Sequence, residues 1–345
     1  MSEKLKVGII GAGRIGRLHA DHLSRRIETA ELTAVSDVYE DAAKACAEEL
    51  GIRNTYTDYR RILEDRDIEA VVICSSTDTH AGIIMDAASA GKHIFCEKPI
   101  ALDLNALDAA LKAADRAGVV LQIGFNRRFD TNYHRIREHI VQGDIGDLHF
   151  LHLFSRDPAP PPIEYVRISG GIFLDMMIHD FDMARFLSGS EVEEVYTLGA
   201  VRIDESIGEA GDVDTALVSL KFRNGVIGTI DNSRKAVYGY DQRVEVFGSK
   251  GMAMSGNNYP NSVFLCNGHE CRRDLPLNFF MDRYIDSYIE EMRVFIDTLQ
   301  NGGISQVDGN DGRMPVVMGK AAGKSLQEHR PVRIEEIEGP DNTDT

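Results

Sequence analysis

The stretch LKVGIIGAGRIGRLHADHL constrains this chain more than any other. Leu5–Ile10 is an apolar run of the kind that forms a strand buried on both faces of a parallel sheet. It passes without a spacer into GAGRIG, residues 11–16, and then into a helical stretch reaching residue 26. Glycines at this spacing have separate tasks. Gly11 permits a tight turn, Gly13 lets a ligand come close to the backbone, and Gly16 lets the helix lie against the strand. Asp37 follows about 20 residues later, at the end of a second strand over residues 31–36. In that setting the motif reads as a dinucleotide-binding turn, with the pyrophosphate on the helix N-terminus. A carboxylate at Asp37 accepts hydrogen bonds from ribose hydroxyls and repels a 2′-phosphate. Val38 and Tyr39 offer no cation to offset that repulsion, so NAD is expected rather than NADP.

The same grammar continues. Helical stretches at Glu40–Leu50, 79–90 and Leu104–Ala117 alternate with buried strands at 70–74, 93–96 and 119–123. Gly118 closes the last helix. Strands and helices alternating at this pitch predict a doubly wound α/β domain of the Rossmann type over residues 1–123. After Gly124 the pattern changes. Residues 148–154 alternate like a half-buried strand, and the four prolines of SRDPAPPP (155–162) demand a loop. Strand-like runs follow at Val192–Ala200, Thr215–Phe222, 226–232 and 243–247, with an Asn224-Gly225 hairpin signal between two of them. Helices are expected at 278–300 and 311–328, and a polar tail at 339–345. Residues 124–345 therefore read as a second, α+β domain with an open, mostly antiparallel sheet.

Composition narrows the function. A net charge of −17 argues against a nucleic-acid or anionic-membrane surface. No apolar run reaches the roughly 20 residues of a membrane span, and the start carries no signal-peptide pattern. Five cysteines, Cys46, Cys74, Cys96, Cys266 and Cys271, are odd in number and lack a disulfide-framework spacing, which fits a reducing cytoplasm. In CNGHEC, Cys266, His269 and Cys271 are three zinc-ligand types close together. No fourth ligand follows at finger spacing, and the segment reads as a hairpin tip.

Most of GGIFLDMMIHDFDMARFL, residues 170–187, looks like a helix entering a core. Yet Asp175, His179 and Asp182 fall on one stripe at about 100° per residue. Such a stripe binds a metal, moves a proton, or satisfies itself. A metal site normally draws further ligands, and the sequence nominates none, so no metal is expected. Asp182 reads as a structural partner to Arg185 or a backbone amide. In FCEKPI, Glu97 and Lys98 lie just past a buried strand, where ligands of open α/β sheets bind.

Taken in order, GAGRIG, SSTDTH (75–80), CEKP and GGIFLDMMIHDFDMARFL resemble the Gfo/Idh/MocA oxidoreductases over nearly the whole chain. GFNRRFD, SRDPAPPP, DNSRKAVYGYDQRVEVFGSKG and FFMDRY look like the inositol 2-dehydrogenase branch, whose members oxidise myo-inositol to scyllo-inosose with NAD. The resemblance implies a catalytic set of Lys98, Asp175 and His179. It implies cofactor contacts at Gly11, Ala12, Gly13, Arg14, Ile15, Gly16, Asp37, Ser75, Thr77, His80, Glu97 and Lys98. Asn126, Arg127, Asp157 and Tyr238 are implied polyol contacts, beside Lys98, Asp175 and His179. A homotetramer joined through the open sheet is implied too.

The chemistry agrees. Oxidising a secondary alcohol removes a hydride and a proton, and a histidine is the natural base near neutral pH. Asp175 can support its cation, and Lys98 can stabilise alkoxide charge. A related polyol or sugar dehydrogenase is the neighbouring reading. A cofactor-sensing regulator is the other, but it has no use for Lys98, Asp175 and His179 together.

Overall fold

In a computed structural model that describes residues 4–338, the first alternation forms one parallel sheet. The polar tail at 339–345 lies outside the described residues. The strands are β1 (Leu5–Ile10), β2 (Ala30–Ser36), β3 (Asn54–Tyr56), β4 (Ala70–Ile73), β5 (His93–Glu97) and β6 (Leu121–Gly124), in the order β3-β2-β1-β4-β5-β6. Val7, Ile9, Val72 and Phe95 are wholly buried, which is why these strands read as continuous apolar runs. The order reverses between β1 and β4, the switch point where open α/β sheets hold ligands. Connecting helices include α1 (Arg14–Arg25), α2 (Glu40–Leu50), α3 (Thr77–Ser89) and α4 (Leu104–Ala117). The ends of α4 follow local chemistry: the Asp103 side chain accepts from the Ala106 amide, and Gly118 closes the helix at φ +65°.

The second sheet has β7 (Leu148–Arg156), β8 (Val192–Ala200), β9 (Thr215–Phe222), β10 (Ile227–Ser233), β11 (Asp241–Gly248) and β12 (Gly251–Ser255). A separate hairpin joins β13 (Phe264–Cys266) to β14 (Cys271–Arg273), and β15 (Val332–Arg333) edges the second sheet. Its order is β12-β11-β7-β10-β9-β8-β15, antiparallel except for β7 beside β10. One face carries registered rows such as Val218, Ile230, Leu153 and Val244, all buried. The other face carries Ile227, Phe150, Phe247 and Met252 in one row and Leu198 with Leu217 in another, and much of it is exposed.

The chain divides into two compact units. One takes residues up to Asn126 together with Asp286–Met314; the other takes Arg127–Ile285 and the chain from Pro315 on. A single cut at 123/124 therefore misses a return. The helix Phe280–Asn301 has a non-helical residue at Tyr284, beside one crossing, and the helix Gly309–Glu328 carries Pro315 at the other. Beyond the first kink, Met292, Phe295 and Ile296 join the core of Val7, Ile9 and Phe95. Apolar residues on a helix look the same in sequence whichever core they enter.

The antiparallel hairpin places Cys266 opposite Cys271, with Cα atoms 4.2 Å apart, and the two are joined as a disulfide. The cysteine spacing gave no sign of this pair, and the bond removes both sulfurs as zinc ligands. Strand register, invisible in the spacing alone, brought them together.

The closest backbone approach in the first unit lies at the glycine turn. A Cβ on Gly16 would sit 1.9 Å from the Gly11 carbonyl oxygen, which is backbone and cannot swing away. Gly16→Ala is expected to lower the melting temperature by roughly 5 °C or more, from overpacking that costs about 1–3 kcal/mol. A thermal melt within 1 °C of wild type, on the order of experimental error, would show that the turn relaxes freely.

Candidate active site

In the first unit, the residues expected at the cofactor gather around the turn after β1. Gly11 has φ +100°, and a Cβ there would press on the Cys74 backbone at 2.6 Å, so the turn admits only glycine. Gly13 differs: a Cβ there would meet nothing within 4 Å. No packing inside the unit requires glycine at 13, whereas a phosphate approaching the α1 N-terminus does. Gly13 and Arg14 are exposed, Ile15 is half-buried and Ala12 is buried. Asp37 directly follows β2, where its Oδ2 accepts from the Ala12 amide at 2.7 Å and its Oδ1 from the Tyr39 amide at 2.9 Å. The carboxylate is thereby fixed beside the turn. These residues fit a dinucleotide with free ribose hydroxyls.

Ser75 bonds Thr79 through their hydroxyls at 2.7 Å, and Thr77 opens α3. His80 is buried, with Nε2 on the Ser75 carbonyl (3.0 Å) and Nδ1 on the Pro99 carbonyl (2.9 Å). It ties the loop after β4 to the loop after β5. Lys98 stands half-buried just past β5, before a cis Lys98–Pro99 peptide. Glu97 turns inward instead, to His19 Nε2 at 2.8 Å. Asn126 is buried and donates to Ser287 Oγ at 3.3 Å.

In the second unit the expected continuous helix is broken. Residues Ile172–Met176 form a π-helical turn, with Met177 N–H on the Ile172 carbonyl, before α5 (Ile178–Ser188) begins. Gly170 and Gly171, at φ +86° and +73°, lead into it. The uniform 100° stripe therefore does not hold through Asp175. From Ile172 to Arg185, only Asp175 and His179 are not buried. Asp182 points inward, where Arg128 grips it with a fork at 2.6–3.0 Å. Arg185 takes Glu191 instead, so the partner expected for Asp182 is corrected.

Asp175 accepts from Tyr165 Oη at 3.0 Å on Oδ1 and from Arg234 Nη1 at 3.3 Å on Oδ2. Asp157 makes only backbone hydrogen bonds among the described residues. Burial, then the charge of Asp175, pushes its carboxyl up to about 6. Arg127 is buried against Asp180 at 2.7 Å, and Asn232 donates to the same carboxylate at 3.0 Å. Tyr238 Oη donates to Asp241 at 2.5 Å and accepts from Arg156 at 3.2 Å. Asp180, Tyr165 and Arg234 were not singled out from sequence. Each lies inside a motif quoted above or just beyond one, but nothing in a motif says which of its charged residues face one another.

Two family models match the chain: an oxidoreductase family with an NAD-binding Rossmann fold over residues 5–125, and the Gfo/Idh/MocA C-terminal domain over 133–254. The chain belongs to the Gfo/Idh/MocA oxidoreductase family. It is 50% identical over 335 residues to a myo-inositol 2-dehydrogenase from Thermotoga maritima, covering 97% of this chain and 100% of that one. It is 44% identical to an inositol 2-dehydrogenase from Rhizobium meliloti, over 96% and 99% of the two chains. The crystal structure of a myo-inositol dehydrogenase from Corynebacterium glutamicum superimposes with a TM-score of 0.92 at 35% identity, covering 98% and 100%. As a member of this family the chain is an NAD-dependent oxidoreductase.

Among the described residues of this family member, one group brings three potential metal ligands within 4.8 Å: His19, Glu97 and Glu291. His19 and Glu97 are already hydrogen-bonded directly. Glu291 is fully buried, and burial followed by the charge of Glu97 pushes its carboxyl well above the usual range, which favours the neutral acid over a metal-binding carboxylate. Its stability contribution is complete below the unfolded-state value near 4.5 and is lost as pH rises toward the folded-state value. Glu291→Gln keeps the shape and removes the titration. Its melting temperature relative to wild type should climb between about pH 5 and pH 8, by ~3 °C or more. A difference that stays flat across that range would mean Glu291 is not held neutral.

Proposed function

We propose that this chain oxidises myo-inositol to scyllo-inosose, with His179 taking the hydroxyl proton. The observation that carries this reading is the pair Asp175 and His179, the two side chains on an otherwise buried segment that reach solvent. The inositol dehydrogenases it resembles, at up to 50% identity over nearly full length, support the substrate.

NAD, when bound, supplies the acceptor for the hydride. The turn Gly11–Gly16 receives its pyrophosphate on exposed backbone, with Ala12, Arg14 and Ile15 around it, and Asp37 takes the ribose hydroxyls. Ser75, Thr77 and His80 shape the loop after β4, and Glu97 ends the strand that precedes Lys98. The lysine orients the reacting hydroxyl and stabilises its developing negative charge. His179 accepts the proton, and Asp175 supports the resulting cation. Asp157 faces this carboxylate with no side chain donating to it and serves as a polyol contact. Asn126, Arg127 and Tyr238, the further polyol contacts, are each held in place by internal partners.

No helix among the described residues is long and apolar enough to cross a membrane. We place the enzyme in the cytoplasm, where its cofactor resides, and as a homotetramer. The exposed face of the second sheet, with Leu198, Leu217, Ile227, Phe247 and Met252, is the surface that copies of this chain cover.

With NAD, myo-inositol should give turnover above that of hexoses in a polyol panel read by NADH absorbance. The rate should rise with pH, because only the neutral imidazole accepts a proton, and a strong chelator should leave it unchanged. His179→Ala should lower kcat by about 10²–10⁴-fold while NAD binding persists. Turnover of a hexose without myo-inositol, or a His179→Ala enzyme at wild-type rate, contradicts the assignment.

Sedimentation at micromolar concentration should give a species four chains in mass. Phe247→Lys on the open face should shift it toward smaller species with the far-UV spectrum unchanged. A wild-type monomer removes the tetramer.

A further inference from the structure

We propose that Arg234 and Tyr165 are positioning residues that hold Asp175 from opposite oxygens and so set its direction for the reaction. This rests on the functional reading above and deepens it.

Arg234 is among the largest wholly buried side chains in the protein. A guanidinium out of water is costly unless anions compensate it. Here Nη1 lies 3.3 Å from Asp175 Oδ2 and Nη2 lies 3.4 Å from Asp212 Oδ2. Asp212 in turn accepts from the Ile172 amide at 3.1 and 3.0 Å, which pins the start of the π-helical turn that carries Asp175. One buried cation therefore fixes both the carboxylate and the backbone beneath it. The Arg234 amide, bonded to the Asp214 carbonyl at 2.9 Å, anchors the other end.

Tyr165 approaches from the opposite side. It lies on the short helix Ile163–Val166 after the proline loop, and its ring remains nearly half exposed. Its hydroxyl donates to Asp175 Oδ1 at 3.0 Å. The phenol is thus a half-exposed group held against one carboxylate oxygen while the buried guanidinium holds the other. Asp157 gives this arrangement its purpose. Two carboxyls, Asp157 and Asp175, share one neighbourhood that also contains Arg127, Arg234 and Asp180. Both cannot carry full charge without cost. Two donors are aimed at Asp175, whereas no side chain among the described residues donates to Asp157, and Asp157 is the one whose proton affinity rises.

The test is a double-mutant cycle with thermal melts and NAD dissociation constants measured in parallel. Tyr165→Phe changes a rim residue and should fold. It should lower kcat/KM for the polyol roughly tenfold, with NAD affinity within about twofold of wild type. In an Asp175→Ala background the same change should have almost no effect, because the accepting oxygen is gone. Arg234→Lys should retain at least about ten times the kcat of Arg234→Met, since it keeps the cation without the two-sided reach. Tyr165→Phe at full rate, or an equal loss with and without Asp175, overturns the proposal. A panel in which wild-type enzyme turns over no polyol defeats the functional reading, and this inference with it. Wild-type turnover combined with an indifferent Tyr165→Phe defeats this inference alone.

Discussion

The first unit depends on how closely one helix can approach one strand. The space that a Cβ of Gly16 would fill is occupied by the Gly11 carbonyl. Because that space is free in the native chain, α1 starts directly above the end of β1 and its amide groups open onto the crevice at the switch point. The rest of the cofactor side follows from this fixed point. Asp37 is held on the Ala12 amide, and His80 bridges the two neighbouring loops.

The second unit depends on buried charge. Arg127 and Arg128 are consecutive, and they pair with Asp180 and Asp182, two apart on α5. Arg283 pairs with Asp130, and Arg234 with Asp175 and Asp212. Such pairs add little net stability over a well-packed apolar core, but losing one partner leaves a buried charge and costs about 3–5 kcal/mol. The first two pairs tie α5 to the segment that carries Arg127 and Arg128. With Asp180 and Asp182 so engaged, the segment from Ile172 to Arg185 leaves only Asp175 and His179 incompletely buried. The π-helical turn contributes as well, since it rotates Asp175 away from the direction a regular helix gives it.

The stripe at 175, 179 and 182 illustrates what a pattern can and cannot say. Periodicity nominated all three residues, and the structure separates them. Asp175 and His179 emerge, while Asp182 belongs to Arg128. The separation comes from a backbone irregularity and from an arginine 54 positions away in sequence, and neither leaves a periodic trace. Glu97 shows the same limit. The position of Glu97 at the end of a buried strand said nothing of the His19 side chain on α1 that engages it.

What the sequence determined was everything set by neighbours along the chain. The strand-turn-helix at Gly11–Gly16, the ends of α4, the alternation of β7 and β9 and the hairpin at Asn224-Gly225 all follow from local sterics and period. The tertiary structure decided what depends on partners far apart. It returned residues 286–314 to the first unit, where Met292, Phe295 and Ile296 complete a core begun at Leu5. It paired Cys266 with Cys271 through register, and it buried Arg234 between two aspartates. Apolar and charged side chains advertise that they need a partner. Which partner they get is settled only when the whole chain has packed, because burial energy scales with area and is indifferent to sequence distance.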